Sequence, residues 1–157
     1  MTFVLLEDVE LVGFLAQSRA DFVDELVAAG TDRAAAEARA DVAEAAVWQD
    51  GRLNPDHHIG HIVAAGEVVG HLWVARDDGH DWYVWDVAIA ESHRGRGYGR
   101  AAMELANDIA RADCAAAIGL SVFTTNHVAI ALYRSMGYAE SASAPGPLLR
   151  MRLELPN

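Results

Sequence analysis

Apolar and polar positions change period several times along the chain, and each change marks an element. Phe3 to Leu6 is a short apolar run and reads as a first strand. Glu10 to Ala29 is rich in strong helix formers and stops at Gly30, a residue suited to a left-handed cap. Thr31-Asp32-Arg33-Ala34 offers an N-cap for a second helix running to about Trp48. Asp50-Gly51-Arg52-Leu53-Asn54-Pro55 is a loop by composition. His58 to Ala65 reads as a strand, Gly66-Glu67 as a tight turn, and Val68 to Ala75 as its hairpin partner. A second turn, Asp77-Asp78-Gly79-His80, leads into the apolar run Trp82 to Ile89. Strands joined by such short turns predict an antiparallel meander.

The second half alternates differently. Gly99 to Ala112 reads as a helix, and Ala116 to Phe123 as an apolar strand. Thr125-Asn126 can cap a helix from His127 to Met136, which Gly137 stops. Tyr138 to Ser141 reads as a short strand, Ala144-Pro145-Gly146-Pro147 as a loop, and Leu148 to Leu155 as a last strand. Strand runs followed by helix crossovers place the chain in the mixed α/β class with a mostly antiparallel sheet. A length of 157 residues predicts one domain, 1–157, large enough to bury a core without disulfides or metals. No apolar run approaches the roughly 20 residues of a membrane span. The N-terminus lacks the basic region and long apolar core of a signal peptide. Cys114 is the only cysteine, so no intrachain disulfide can form, and a cytoplasmic location is expected.

The net charge of −11 argues against a general nucleic-acid binder, which needs a basic face. Against that acidic background Arg94-Gly95-Arg96-Gly97-Tyr98-Gly99-Arg100 stands out. It follows a predicted strand and opens a predicted helix. Glycines let a backbone approach a ligand closely, and the first amides of a helix have no internal partner. Together with the helix dipole and three arginines, this makes an anion site suited to phosphates. It is not a dinucleotide fingerprint, because Gly95, Gly97 and Gly99 are spaced G-x-G-x-G and the sixth position is Arg100. Nor is it a P-loop, because the Gly-Lys-Ser/Thr end is missing.

The turn does match R-x-x-G-x-G, and Asn126, Ala129, Tyr133, Gly137 and Tyr138 match a later N-x-x-A-x-x-x-Y-x-x-x-G-[YF] pattern. On these two motifs the chain resembles the GCN5-related N-acetyltransferase (GNAT) superfamily over about residues 58–139. The resemblance implies a GNAT fold: a mostly antiparallel sheet of about six to seven strands flanked by about four helices, with the fourth and fifth strands splayed. It implies acetyl-CoA as co-substrate, with Arg94, Gly95, Arg96, Gly97, Tyr98, Gly99 and Arg100 on the pyrophosphate. Main-chain groups of Val87, Ala88 and Ile89 would hold the pantetheine arm, and Asn126 would assist. It implies direct acetyl transfer to a primary amine of a small molecule or peptide. Residues 1–50 correspond to the family's variable, acceptor-side helices, and 140–157 to a C-terminal strand. Phe14, Phe22 and Trp48 are candidates to line the acceptor site. A homodimer is an open option. A non-catalytic acyl-CoA-binding module and an enzyme using another acyl donor are the alternatives.

The residue types suit such a reaction on their own terms. Transfer to an amine needs a neutral nucleophile, a polarised carbonyl and a proton for the leaving thiolate. Asn126 and Tyr133 are seven apart, near one face of the predicted helix. A phenol can give a proton to a thiolate, so Tyr133 is the candidate acid; the alternative is a packed aromatic. Asp86 lies inside an apolar strand, where a carboxylate needs a purpose or a partner. It is the candidate base or ammonium anchor, and otherwise a structural carboxylate. His71 and Trp73 share one strand face and, with Trp82 and Trp85, are candidates to wall the acceptor pocket. His57, His58 and His61 cannot all converge from a regular strand, so no metal is expected.

Overall fold

The computed structural model describes residues 1–142 and 146–156. In chain order the elements are β1 (Thr2–Leu5), α1 (Asp8–Ala28), α2 (Arg33–Val47), β2 (Trp48–Gln49), β3 (Arg52–Leu53), β4 (His57–Ala64), β5 (Glu67–Arg76) and β6 (Trp82–Ile89). A single 3₁₀ turn (Glu91–His93) follows, then α3 (Tyr98–Ala112), β7 (Ala117–Phe123), α4 (His127–Ser135), β8 (Ala139–Glu140) and β9 (Leu148–Glu154). The predicted loop Ala144–Pro147 falls partly on residues outside those described.

The chain divides into two compact units, Leu6–His57 and the remainder. In the first, Glu10 Oε2 accepts from the backbone N–H of Glu7 at 3.0 Å, and Asp32 accepts from Ala35 at 3.3 Å, so both helix starts are capped by carboxylates. Arg19 reaches from α1 to Asp41 and Glu44 of α2 at 2.7 and 3.0 Å. The segment read as a loop at 50–55 contributes Arg52–Leu53 to a small hairpin with Trp48–Gln49. Two-residue strands carry no period, which is why composition alone reads as loop.

The second unit holds a sheet of seven strands in the order β1-β4-β5-β6-β7-β9-β8. The pairs β1–β4, β5–β6, β7–β9 and β8–β9 are antiparallel, and β6–β7 is parallel. The β4–β5 turn is Ala65-Gly66, one residue earlier than the sequence predicts, with φ of 51° and 80°. A two-residue hairpin loop with two left-handed residues matches the twist of the strands, and Ala65 takes that conformation at a cost. Leu72, Val74, Val84, Ile118, Leu120 and Val122 form one apolar sheet face together with Ala102, Met103, Ala106 and Ala110 of α3. The alanines recur along one stripe of the helix and keep its backbone close to the strands.

Two irregularities in β6 position the site. Trp73 pairs with Asp86, but Val74 pairs with Val84, so Trp85 is an extra residue, a β-bulge. The bulge resets the alternation. Without it Asp86 would share the face of Val84 and point into the apolar core; with it, Asp86 shares the face of Trp73, and Val87 and Ile89 return to the core side. The second irregularity is that the β6–β7 ladder covers only Trp82–Val84 against Ile118–Leu120. Beyond that point β6 remains paired to β5, and β7 to β9, while the two parallel strands part from each other. This is the splay expected between the fourth and fifth strands of the family fold.

Gly70 lies opposite Ile89, where an added Cβ would sit 2.1 Å from the Ala88 carbonyl oxygen. Gly70→Ala should therefore lower stability by about 2 kcal/mol or more, read as a fall in Tm, because backbone must move to admit the methyl group. Ala65→Gly should act oppositely, relieving about 1 kcal/mol of left-handed strain and raising Tm by roughly 2–4 °C.

Candidate active site

The glycine turn after β6 is held from behind. The Ala90 N–H donates to Val69 at 2.8 Å, and Arg94 Nε donates to the Ile89 carbonyl at 3.0 Å. His93 Nε2 lies 3.2 Å from Glu67, while its Nδ1 lies 3.0 Å from the Ser92 hydroxyl. Gly95 and Gly97 have φ of 76° and 84°, a conformation that costs other residues about 1–2 kcal/mol. Space does not demand glycine there, since nothing lies within 4 Å of an added Cβ at either position. The positive φ does, and the room beside it is open.

Among the described residues, none of the six successive backbone N–H groups from Gly95 to Arg100 donates a hydrogen bond. Helical bonding begins at Ala101, whose N–H reaches the Gly97 carbonyl at 3.1 Å. Gly97 caps α3 without a side chain that could satisfy the first amides. Arg94, Arg96 and Arg100 form no ion pair among the described residues, although acidic side chains outnumber basic ones 23 to 12. Arg94 and Arg96 are exposed beside the turn, whereas Arg100 is tied back to α4, donating to Ser135 Oγ at 2.6 Å. Tyr98 is half-buried against the core, its ring 6.3 Å from that of His93. A row of free amides with positive side chains beside it is suited to an anion.

Asp86 follows the bulge and is about a third exposed, its Oδ2 2.9 Å from Nε2 of His71. Trp73 and Trp85 lie on the same face and stack at 5.0 Å. Trp82, expected beside them on the acceptor wall, is instead buried on the core face, and its indole N–H donates to Asp113 at 3.0 Å. It lies before the bulge and keeps the original alternation. Val87, Ala88 and Ile89 pair with Leu72, His71 and Gly70 on the β5 side. Their other edge has no registered partner on β7. Backbone groups on such an edge need water or a ligand.

Asn126 caps α4, its Oδ1 accepting from the Ala129 N–H at 3.2 Å, which leaves the amide NH₂ available. Tyr133, two turns on, is 8% exposed. Its hydroxyl makes no hydrogen bond among the described residues, yet no fully buried side-chain oxygen or nitrogen there lacks a partner. The Tyr133 oxygen must therefore reach accessible space. Burial, and secondarily the negative charge of Asp86, push its pKa above the ordinary phenol value, so the hydroxyl keeps its proton. The neighbouring Tyr138 is raised further by burial and by Tyr133, but its hydroxyl is committed to the buried Asn107 at 2.6 Å. It belongs to the core. No three His, Cys, Asp or Glu side chains among the described residues are placed to hold a metal ion, and no helix there is long and apolar enough to cross a membrane.

Of the residues singled out in the sequence, the structure brings the 94–100 turn, the parted end of β6 and the N-cap of α4 into one unit, with Tyr133 within electrostatic reach of Asp86. The contact between His71 and Asp86 was not foreseen. Its only sequence signal is the hairpin register, which a bulge conceals.

Known proteins share this fold. The uncharacterized N-acetyltransferase YdgE of Bacillus subtilis is 28% identical over 99% of both chains. The crystal structure of YycN, an uncharacterized N-acetyltransferase from the same species, superposes with a TM-score of 0.78 at 23% identity, covering 91% of this chain and 94% of that one. A structure described as a streptothricin acetyltransferase of Bacillus anthracis, in complex with acetyl coenzyme A, gives a TM-score of 0.58 at 15% identity over 65% and 64%. At these identities the two structures speak for the fold. The model of the acetyltransferase (GNAT) family matches residues 31–138, and the chain belongs to that family.

Proposed function

We propose that this chain is an acetyl-CoA-dependent N-acetyltransferase that passes the acetyl group directly to a primary amine. The observation that carries this reading is the row of free amides from Gly95 to Arg100 at the parted end of β6. The diphosphate of coenzyme A suits that cradle, with Arg94 and Arg96 adding charge. The bound acetyl coenzyme A of the Bacillus anthracis protein supports the same assignment. The amides of the pantetheine arm would then extend the unpaired edge of β6 at Val87, Ala88 and Ile89, where a backbone N–H can also face the developing oxyanion. The free amide NH₂ of Asn126 would serve as a further donor to the cofactor.

The chemistry follows from the groups present. The acceptor must attack as a neutral amine, so its ammonium proton goes to Asp86, directly or through water. The amine nitrogen bonds to the thioester carbonyl carbon. The C–S bond then breaks, and the thiolate sulfur takes the Tyr133 hydroxyl proton. The attacking nitrogen, cationic once it has bonded to carbon, releases its second proton through water, which leaves the neutral amide and restores the tyrosine. A phenol held neutral by burial is suited to donating at this point and poorly suited to acting as a base.

Tyr133→Phe should lower kcat by on the order of 10²-fold while changing the KM for acetyl-CoA little; comparable turnover would remove Tyr133 from the mechanism. Gly97→Ala should weaken acetyl-CoA binding about tenfold in calorimetry, as the cradle pays for a left-handed alanine. Unaltered affinity, or no binding by the wild type, would overturn the placement of the diphosphate.

The pH dependence has a definite sign. Because Tyr133 is raised, the alkaline fall in kcat should lie above the ordinary phenol value of about 10. Asp86→Asn removes one raising charge and should move that fall to lower pH. It should also lower kcat/KM for the amine; an unchanged kcat/KM over about pH 6 to 9 would rule out the base role of Asp86.

A further inference from the structure

We infer that His71 is a positioning residue for the reaction: its Nε2–H holds one oxygen of the Asp86 carboxylate and thereby aims the other at the acceptor amine. The inference rests on the acetyltransferase reading above. The contact is 2.9 Å, between Nε2 and Oδ2. An ionised carboxylate only accepts, so Nε2 carries the hydrogen. Oδ1 makes no hydrogen bond among the described residues, and Asp86 is about a third exposed, so this oxygen is the one open to a ligand.

The sheet geometry makes the pair specific. His71 lies opposite Ala88 and Trp73 lies opposite Asp86, so His71 and Asp86 are diagonal neighbours on one face. Ala88 is small and leaves the imidazole room to lean toward the carboxylate. The Trp73–Trp85 stack stands beside Asp86 on the same face. The bulge at Trp85 is essential to all of this, since a regular strand would put Asp86 on the other side of the sheet. A carboxylate next to an unregistered strand edge is otherwise free to turn about its terminal torsion, and a mis-aimed base loses much of its effect. One charge-assisted hydrogen bond from the neighbouring strand removes that freedom.

The test uses the full chain, with acetyl-CoA and whichever amine in a broad panel gives the fastest thiol release. His71→Phe keeps a flat ring but no donor, and should lower kcat on the order of tenfold, part of what a positioned base contributes. Its KM for acetyl-CoA and its Tm should stay near wild type. His71→Gln restores an N–H at similar reach and should recover most of the loss. A His71→Phe enzyme with kcat within about twofold of wild type, or a His71→Gln enzyme as slow as His71→Phe, would overturn the role. A second readout does not depend on turnover. Long-range ¹H–¹⁵N spectra should show His71 with its hydrogen on Nε2, and Asp86→Asn should displace that resonance. A neutral ring protonated on Nδ1, indifferent to Asp86→Asn, would refute the contact. Should no amine release thiol from the wild type, the acetyltransferase reading fails, while the spectra still decide whether His71 holds Asp86.

Discussion

One extra residue in β6 governs the rest of the site. Trp85 has no counterpart on β5, and the three-residue ladder between β6 and β7 ends immediately before it. A bulge bends its strand and deepens the local twist, so the strand leaves one neighbour while keeping the other. Here it stays with β5 as far as Ile89 and leaves β7 after Val84. The same residue turns the carboxylate of Asp86 out of a face otherwise filled by Leu72, Val74, Val84 and α3. Opening the sheet edge and exposing the acid are thus one structural event. Past the bulge β5 and β6 stay close, and at Gly70 there is no room for a side chain beside the Ala88 carbonyl.

The second constraint is electrostatic. A chain with a net charge of −11 repels anions at long range, yet the arginines of the 94–100 turn carry no acidic partner among the described residues. Screening confines charge effects to about 8–10 Å at physiological salt, so on the proposed function the local field of the turn outweighs the distant surface charge. Six amides without an internal partner would need no side-chain ordering to meet a ligand, and Gly95 and Gly97 are called for by their positive φ. Arg100 shows that arginines in the motif have separate duties, since its guanidinium ties α3 to Ser135 of α4.

The strands and helices were legible because period changes and glycine or Asp-rich turns coincide along this chain. The two motifs pointed to the fold, the cradle and Tyr133 because these depend on local backbone and on one helix. The bulge was not legible. Trp82 to Ile89 is apolar apart from Asp86, so no alternation exists in which an extra residue would show as a slip. That hid two facts at once: Trp82 belongs to the core and Asp86 does not, although even spacing along the strand assigns them to the same face. The His71–Asp86 pair was hidden for the same reason, since it is a property of register between strands. The β2–β3 hairpin and the Ala65-Gly66 turn differ from expectation on a smaller scale, where propensity is weakest and backbone handedness decides.

Asp86 links the two ends of the proposed reaction. While ionised, it raises the cost of forming a phenolate at Tyr133 and so keeps the acid loaded. Once it has taken a proton from the acceptor, that negative charge is gone, and with it one of the two effects holding Tyr133 neutral. Burial remains, but losing a proton becomes easier for Tyr133 when a thiolate is ready to receive it. On the proposed mechanism the base step therefore prepares the acid step through Coulomb interaction alone, with no movement of the backbone.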